Sequence, residues 1–256
     1  MSFELFTYIN FAVIASIIVF AGSYWQLSKN KYPSKIIWTI LLSSLITTWL
    51  GARTLNFFTN NSNYEGNYWN IFDLNLNGYS LYGGLFLSLL TILVLAKLFK
   101  IKFWELADNI APFAGIGIAI AKTGCMVHGC CFGKETNLPW AIRPPIFSPT
   151  HIYQINNGSG QLLVVNPVHP TQMYEVLSAL FSSLIAFYLI RKKVKTGLSS
   201  LVFTIIFTIL RWIIYYFRAL PESFIMPVYF YPIMYLGVIF GSGVMIKNII
   251  NSKTVK

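Results

Sequence analysis

The sequence predicts an all-α membrane protein with seven transmembrane helices, and three observations predict it. Of the 256 residues, 55% are hydrophobic and 17% aromatic, while only 11% are charged. With a mean hydropathy of +0.60, lipid is the natural solvent for most of the chain. Seven apolar runs reach or approach the ~20 residues that a helix needs to cross a bilayer. The basic residues lie in short blocks between those runs, as juxtamembrane charges do. The net charge of +11 therefore does not point to nucleic acid, and a soluble domain is excluded.

The first run, Phe6 to Trp25, follows Glu4 with no basic residue ahead of it and no small-residue cleavage site, so it is expected to stay in the membrane. The others are Ile36 to Phe58, Tyr79 to Phe99, Ile110 to Val127, Met173 to Ile190, Leu198 to Phe217 and Val228 to Ile246. Alternate gaps carry the charge: Lys29, Lys31 and Lys35; Lys97, Lys100 and Lys102; Arg191, Lys192, Lys193 and Lys195; then Lys247, Lys253 and Lys256 in the tail. These are thirteen of the 19 Lys and Arg residues. The opposite loops hold Arg53, Lys134 and Arg143. Positive charge is retained on the cytoplasmic side, which places the N-terminus outside and the C-terminus in the cytoplasm. Residues 1–256 read as a single polytopic domain without internal repeats. Two longer outer loops, at about 60–77 and 140–170, do not look helical and are positioned to cover a site at the outer face.

Ionisable residues at membrane depth are expensive, so those present need a partner or a task. Lys122, Glu175, Arg211 and Arg218 all fall toward the outer end of their runs. Arg211, Tyr215 and Arg218 are spaced i, i+4 and i+7 on one helix face. Two inward guanidiniums suit an anionic headgroup phosphate, whereas Arg218 near a helix end also suits simple snorkelling to the interface. Tyr82-Gly83-Gly84 opens the third run, where glycines allow close approach of either a ligand or a neighbouring helix. In His169-Pro170-Thr171-Gln172, Pro170 suits a helix start and Glu175 the positive end of the helix dipole, but neither explains the imidazole.

All three cysteines fall in Cys125-Met126-Val127-His128-Gly129-Cys130-Cys131. An odd number with two adjacent does not suggest a disulfide framework. Three readings stay open: soft ligands for zinc or copper, a reactive thiol beside Lys122 and His128, or small residues fitted between helices. Adjacent cysteines seldom share one ion, so no metal and no cofactor is expected.

Together these residues resemble the prolipoprotein diacylglyceryl transferase family of bacterial inner-membrane enzymes. The likeness rests on Tyr82-Gly83-Gly84, Asp108-Asn109-Ile110-Ala111-Pro112, Lys122 to Gly133 with Leu138-Pro139-Trp140, His169-Pro170-Thr171-Gln172-Met173-Tyr174-Glu175, and Arg211 with Arg218. The resemblance implies transfer of the diacylglyceryl group of phosphatidylglycerol to the lipobox cysteine of a preprolipoprotein, releasing glycerol phosphate. It implies an active site toward the outer face of the bacterial cytoplasmic membrane. Under it Arg211, Tyr82, His169 and Lys122 are expected to be catalytic, and Arg218, Gly83, Gly84, Cys125, His128, Glu175 and Tyr215 to bind substrate. The chain departs from the family signature: Tyr82 stands for a His, Lys122 for an Arg, and Cys125 for an Asn. His128 and Cys130 stand for an Asn and a Glu, while Phe207 and Tyr215 replace a Tyr and a Glu around Arg211. Tyr82 can donate a hydrogen bond but, with a reference pKa of ~10, is a poor base near neutrality. Two further readings are therefore carried: a related lipid or thiol transferase using the cysteines, and a non-catalytic phospholipid-binding or transport protein.

Overall fold

The computed structural model describes residues 3–30, 32–59, 69, 72, 79–220 and 228–251, with side chains from residue 10 onward. Among them are eight α-helices: α1 (Phe3–Ser28), α2 (Ser34–Thr59), α3 (Leu81–Leu98), α4 (Phe103–His128), α5 (Pro149–Asn156), α6 (Thr171–Arg191), α7 (Leu198–Tyr215) and α8 (Phe230–Asn251). All but α5 are long and apolar enough to cross a membrane, with 7 candidate spans. Isolated bridges such as Glu135 to Val168 and Ile142 to Val168 are the only β pairing among the described residues. The 60–77 loop, apart from Trp69 and Phe72, lies outside the described residues.

The apolar runs become helices because lipid offers a backbone no hydrogen-bonding partner, so each segment must satisfy its own amides. Large apolar side chains such as Phe86, Leu184 and Phe240 face outward, as they do where the surroundings are hydrocarbon. Helix α4 sits at the centre and packs against α1, α3, α6 and α7, while α2 pairs with α3 and α8 with α7. At one end a core of Leu27, Ile37, Ile40, Leu41, Ile92, Ala96 and Leu106 joins α1 to α4. Further along, Ile118, Ala119, Ala179, Ala186, Phe203 and Phe207 seal α4 against α6 and α7.

Two features differ from the sequence reading. Helix α4 begins at Phe103 rather than Ile110 and runs through Pro112, a break that a packed transmembrane helix tolerates. Asp108 and Asn109 thereby become buried helix residues. The Asp108 carboxylate accepts hydrogen bonds from Gly197 N (2.6 Å), Ser200 N (2.8 Å) and Ser200 Oγ (2.8 Å). It caps α7 from another helix and places a negative charge at the positive end of the α7 dipole. The second difference is α5, a helix inside the 140–170 loop, where the sequence predicts none. Its start, Ser148 followed by Pro149, has the N-cap and first-turn pairing that helices favour, and Ser148 Oγ accepts from His151 N. His151 is fully buried; its Nδ1 accepts from Phe147 N at 2.9 Å and its Nε2 lies 2.8 Å from Gln161 O. Gln154 ties both ends of its amide to the backbone of Asn166.

The Asp108 clamp fixes how α4 and α7 slide past one another, and so where residues ~21 Å further along α4 arrive. Asp108→Ala is expected to lower stability in detergent by about 2–3 kcal/mol, as hydrogen bonds to a charged acceptor are worth. Ser200→Ala, which spares the two backbone bonds, is expected to cost less; thermal unfolding of the two purified variants makes the comparison.

Candidate active site

At the end of α4 opposite Asp108, Lys122 and Cys125 lie on consecutive positions of one face, buried where α4 meets α6 and α7. Glu175 enters one turn into α6 and is 1% exposed. Its Oε2 lies 2.5 Å from Lys122 Nζ, and its Oε1 lies 2.7 Å from Arg211 Nη1 and 3.6 Å from Arg218 Nη1. Three cations thus surround one buried carboxylate, an excess of two positive charges. Even after relaxation, burying an ion costs several kcal/mol unless its charge and donors are matched. They are only partly matched: Nε of Arg211 and Nε of Arg218 are buried with no hydrogen-bond acceptor among the described residues.

Aromatic rings wall the arginines. The Arg211 Cζ is 5.3 Å from the centre of the Tyr82 ring, within cation–π range. Tyr82 packs on Tyr235 at 5.5 Å, and Tyr235 on Tyr215 at 6.3 Å. Tyr215 donates its hydroxyl hydrogen to Val228 O at 2.8 Å. Tyr235, nearly fully buried on α8, was absent from the sequence reading; its only signal is the spacing of Tyr231 and Tyr235 one turn apart. The glycines that follow Tyr82 face α2. A Cβ on Gly83 would strike the carbonyl of Gly51, and one on Gly84 would meet Thr48 O. Arg53, counted as a loop charge, is instead buried on α2 with its guanidinium 5.0 Å over the Tyr79 ring.

The cysteine loop is tied to the same cluster. Gly129, in the left-handed region at φ 73°, ends α4, and Cys130 N bonds back to Cys125 O at 3.1 Å. From the start of α6, Gln172 Nε2 donates to Cys130 O (2.6 Å) and Thr171 Oγ1 to Cys131 O (2.8 Å). The Thr-Gln pair of the His-Pro-Thr-Gln string therefore holds the loop, a role that its residue types alone do not reveal. On its far side, Lys134 N donates to Phe217 O (2.8 Å) and Ala219 N to Phe132 O (3.2 Å), which pins the residues flanking Arg218. Gly133 has no room for a side chain: a Cβ there would lie 2.6 Å from His169 O and 2.9 Å from Phe217 O.

All three thiols are free, and their Sγ atoms lie within 4.8 Å of one another. Hydrogen bonds from Cys125 and Cys130 hold the Cys131 thiol well below the usual range, helped by the charges of Lys122 and Arg218. His128 closes α4, half-buried. His169 precedes α6, with its ring 5.0 Å from Phe217 and 6.4 Å from Tyr174. Its Nδ1 has no hydrogen-bond partner among the described residues. Burial, and then the charge of Lys134, push its pKa below the ordinary 6.5. Lys122, Glu175, Arg211 and Arg218 are thus brought together, with Tyr82 against Arg211 and Tyr215 one ring further out, against Tyr235; the ring contacts of His169 are aromatic.

Seven apolar spans and a buried cationic cluster, with donors unsatisfied among the described residues, define a multi-pass membrane protein with a charged centre between its helices. The model of the family described as prolipoprotein diacylglyceryl transferase matches residues 1–250, and the chain belongs to that family. It is similar to the phosphatidylglycerol–prolipoprotein diacylglyceryl transferase of Mannheimia succiniciproducens, with 30% identity over 68% of this chain and 55% of that protein. The enzymes of the same name from Glaesserella parasuis and Pasteurella multocida are 27% and 26% identical. Those alignments cover 80% and 89% of this chain and 74% and 77% of the relatives.

Because Glu175 is the one carboxylate among three cations, Glu175→Gln is expected to destabilise the protein by about 3–5 kcal/mol, the cost of stranding buried charge. Adding Lys122→Met should recover part of that loss. Thermal denaturation of the single and double variants in detergent decides it, and an undisturbed single variant would contradict the electrostatic account.

Proposed function

We propose that this protein transfers the diacylglyceryl group of phosphatidylglycerol to the cysteine thiol of a prolipoprotein at the outer face of a bacterial cytoplasmic membrane. The observation that carries the reading is the excess of positive charge over Glu175, together with Nε groups of Arg211 and Arg218 that find no acceptor among the described residues. A phosphodiester supplies both the missing charge and the missing acceptor oxygens. Family membership supplies the reaction class. The basic blocks at Lys97 to Lys102 and Arg191 to Lys195 lie at the end of the bundle away from the cluster. By the positive-inside bias, that end is cytoplasmic and the site faces outward.

In this reading Arg211 and Arg218 hold the phosphate and stabilise the charge that grows as the glycerol carbon–oxygen bond breaks. Lys122 keeps Glu175 ionised and in place. Glu175, committed to three cations, is a fixed counter-charge rather than a base. Tyr82 orients Arg211 through its ring face, and Tyr215 anchors the chain leading to α8. His169 is neutral near pH 7 because its pKa is lowered, and its unpaired Nδ1 takes the proton of the acceptor thiol. Cys125 and His128 line the floor beneath.

Expression in a bacterium depleted of its own transferase is expected to restore lipoprotein modification. Arg211→Ala is expected to reduce transfer by roughly 100-fold or more, the loss seen when a preorganised charge-stabilising donor is removed. Arg218, whose side chain is 24% exposed, should matter less. Rescue indifferent to Arg211 would rule out the phosphate clamp, and with it this reading.

The pH dependence has a definite sign. A neutral His169 with a pKa under 6.5 is fully active through neutrality and loses its function only as pH falls through the lowered value. Lys134→Ala removes one of the two depressing influences, so the acid limb of the rate profile should move upward toward 6.5. A limb that stays in place in this variant would take His169 out of the proton-accepting role.

A further inference from the structure

Nothing in the reading above uses three thiols within 4.8 Å of one another, yet the backbone is arranged to hold them there. In an extended chain neighbouring side chains point to opposite faces, which is why adjacent cysteines make poor partners for one ion. Here Cys131 has a left-handed φ of 58°, a conformation that non-glycine residues avoid because Cβ crowds the following carbonyl. That turn breaks the alternation and brings Cys131 round to Cys125 and Cys130. The strained turn is kept in place by Thr171 and Gln172, which donate to the carbonyls of Cys131 and Cys130. Three sulfurs about a tetrahedral ion with bonds of ~2.3 Å stand about 3.8 Å apart, so only modest side-chain rotation separates this cluster from a ligand set. The surrounding charge favours the same outcome. Lys122, Arg211 and Arg218 together carry two positive charges in excess of Glu175. Three thiolates on a divalent ion bring one negative charge, and a phosphodiester brings the other.

We propose that Cys125, Cys130 and Cys131 bind Zn(II) through three thiolates, leaving the fourth position for the thiol of the acceptor cysteine. Three protein ligands and one open position is the pattern of catalytic zinc, and a thiol that coordinates the ion is deprotonated outright. The site thus does in this chain what Tyr82 cannot do as a base. This assignment of a role rests on the transferase reading above; the metal site itself does not. In the step, the acceptor S–H bond breaks on coordination and its proton passes to His169. The sulfur pair then forms a bond to the terminal glycerol carbon as that carbon's bond to the phosphate oxygen breaks. Glycerol phosphate leaves with that electron pair, held by Arg211 and Arg218, and no oxidant or reductant is required.

The test uses the purified full-length chain in detergent, stripped with a chelator and titrated with Zn(II) alone and with Co(II) alone. One ion per chain is expected by elemental analysis, with Co(II) giving thiolate charge-transfer absorption. Cys125→Ser, Cys130→Ser and Cys131→Ser should each weaken binding by roughly tenfold or more. A lipobox peptide with its cysteine should then intensify the Co(II) absorption and release a proton, and the same peptide with serine should do neither. Folded wild-type protein that binds no ion would overturn the site, as would binding that survives all three substitutions. Binding without any response to the cysteine peptide would overturn the acceptor role. Should the single variants fail to fold, the wild-type titration with the two peptides still decides. No phospholipid is present, so the two ideas fail separately. A chain that binds the ion and the peptide thiol but does not restore lipoprotein modification refutes the transferase reading and leaves the metal site standing.

Discussion

One buried carboxylate facing three cations is the constraint on which this structure depends. Glu175 reaches Lys122 from α4 and both Arg211 and Arg218 from α7 and beyond, so three separate segments must arrive at one point in a medium that cannot solvate mistakes. Helices in lipid gain little from apolar contact with one another, since the surrounding hydrocarbon is equally apolar. Polar contacts and close packing therefore carry more of the specification than in a water-soluble protein. Asp108 sets the register of α4 against α7 at one end, and Glu175 closes the far end.

The loops serve the same convergence. Residues from Gly129 to Ala219 are stitched by backbone pairs between Phe132 and Ala219 and between Lys134 and Phe217. Arg218, although past the end of α7, thereby has backbone pairs on both sides of it. The helix α5, with its buried His151 and Gln154, is the rigid backing of this region: Thr150 donates both its amide and its hydroxyl to Gly129 O. The cysteines thus sit on a braced surface between α5 and α6.

The departures from the family signature form a consistent set. Lys122 replaces a planar fork with a point charge, yet still reaches Glu175 at 2.5 Å. Tyr82 gives up an imidazole but offers a ring face to Arg211. The polar groups lost at Cys125 and Cys130 are replaced by thiols that meet Cys131. The cations around Glu175 are kept, while three of the neighbouring positions carry thiols.

The seven spans and the cationic character of one end of the bundle are legible in the residues alone, because hydropathy and the cost of charge in lipid are local properties that each segment declares for itself. The spacing of Arg211, Tyr215 and Arg218 reads as one helix face, but α7 ends at Tyr215, and Arg218 reaches Glu175 from the turn beyond it. The sequence did not announce α5, since a helix of eight residues has no long period, and its Ser148-Pro149 start was lost in a polar stretch. Nor did it place Gly83 against Gly51 or Tyr235 against Tyr82. That Glu175 is shared among three cations and that adjacent cysteines face a third emerges only once the chain is folded. Both depend on contacts between segments distant in the chain, and in the second case on a left-handed turn at Cys131 that no residue preference foretells.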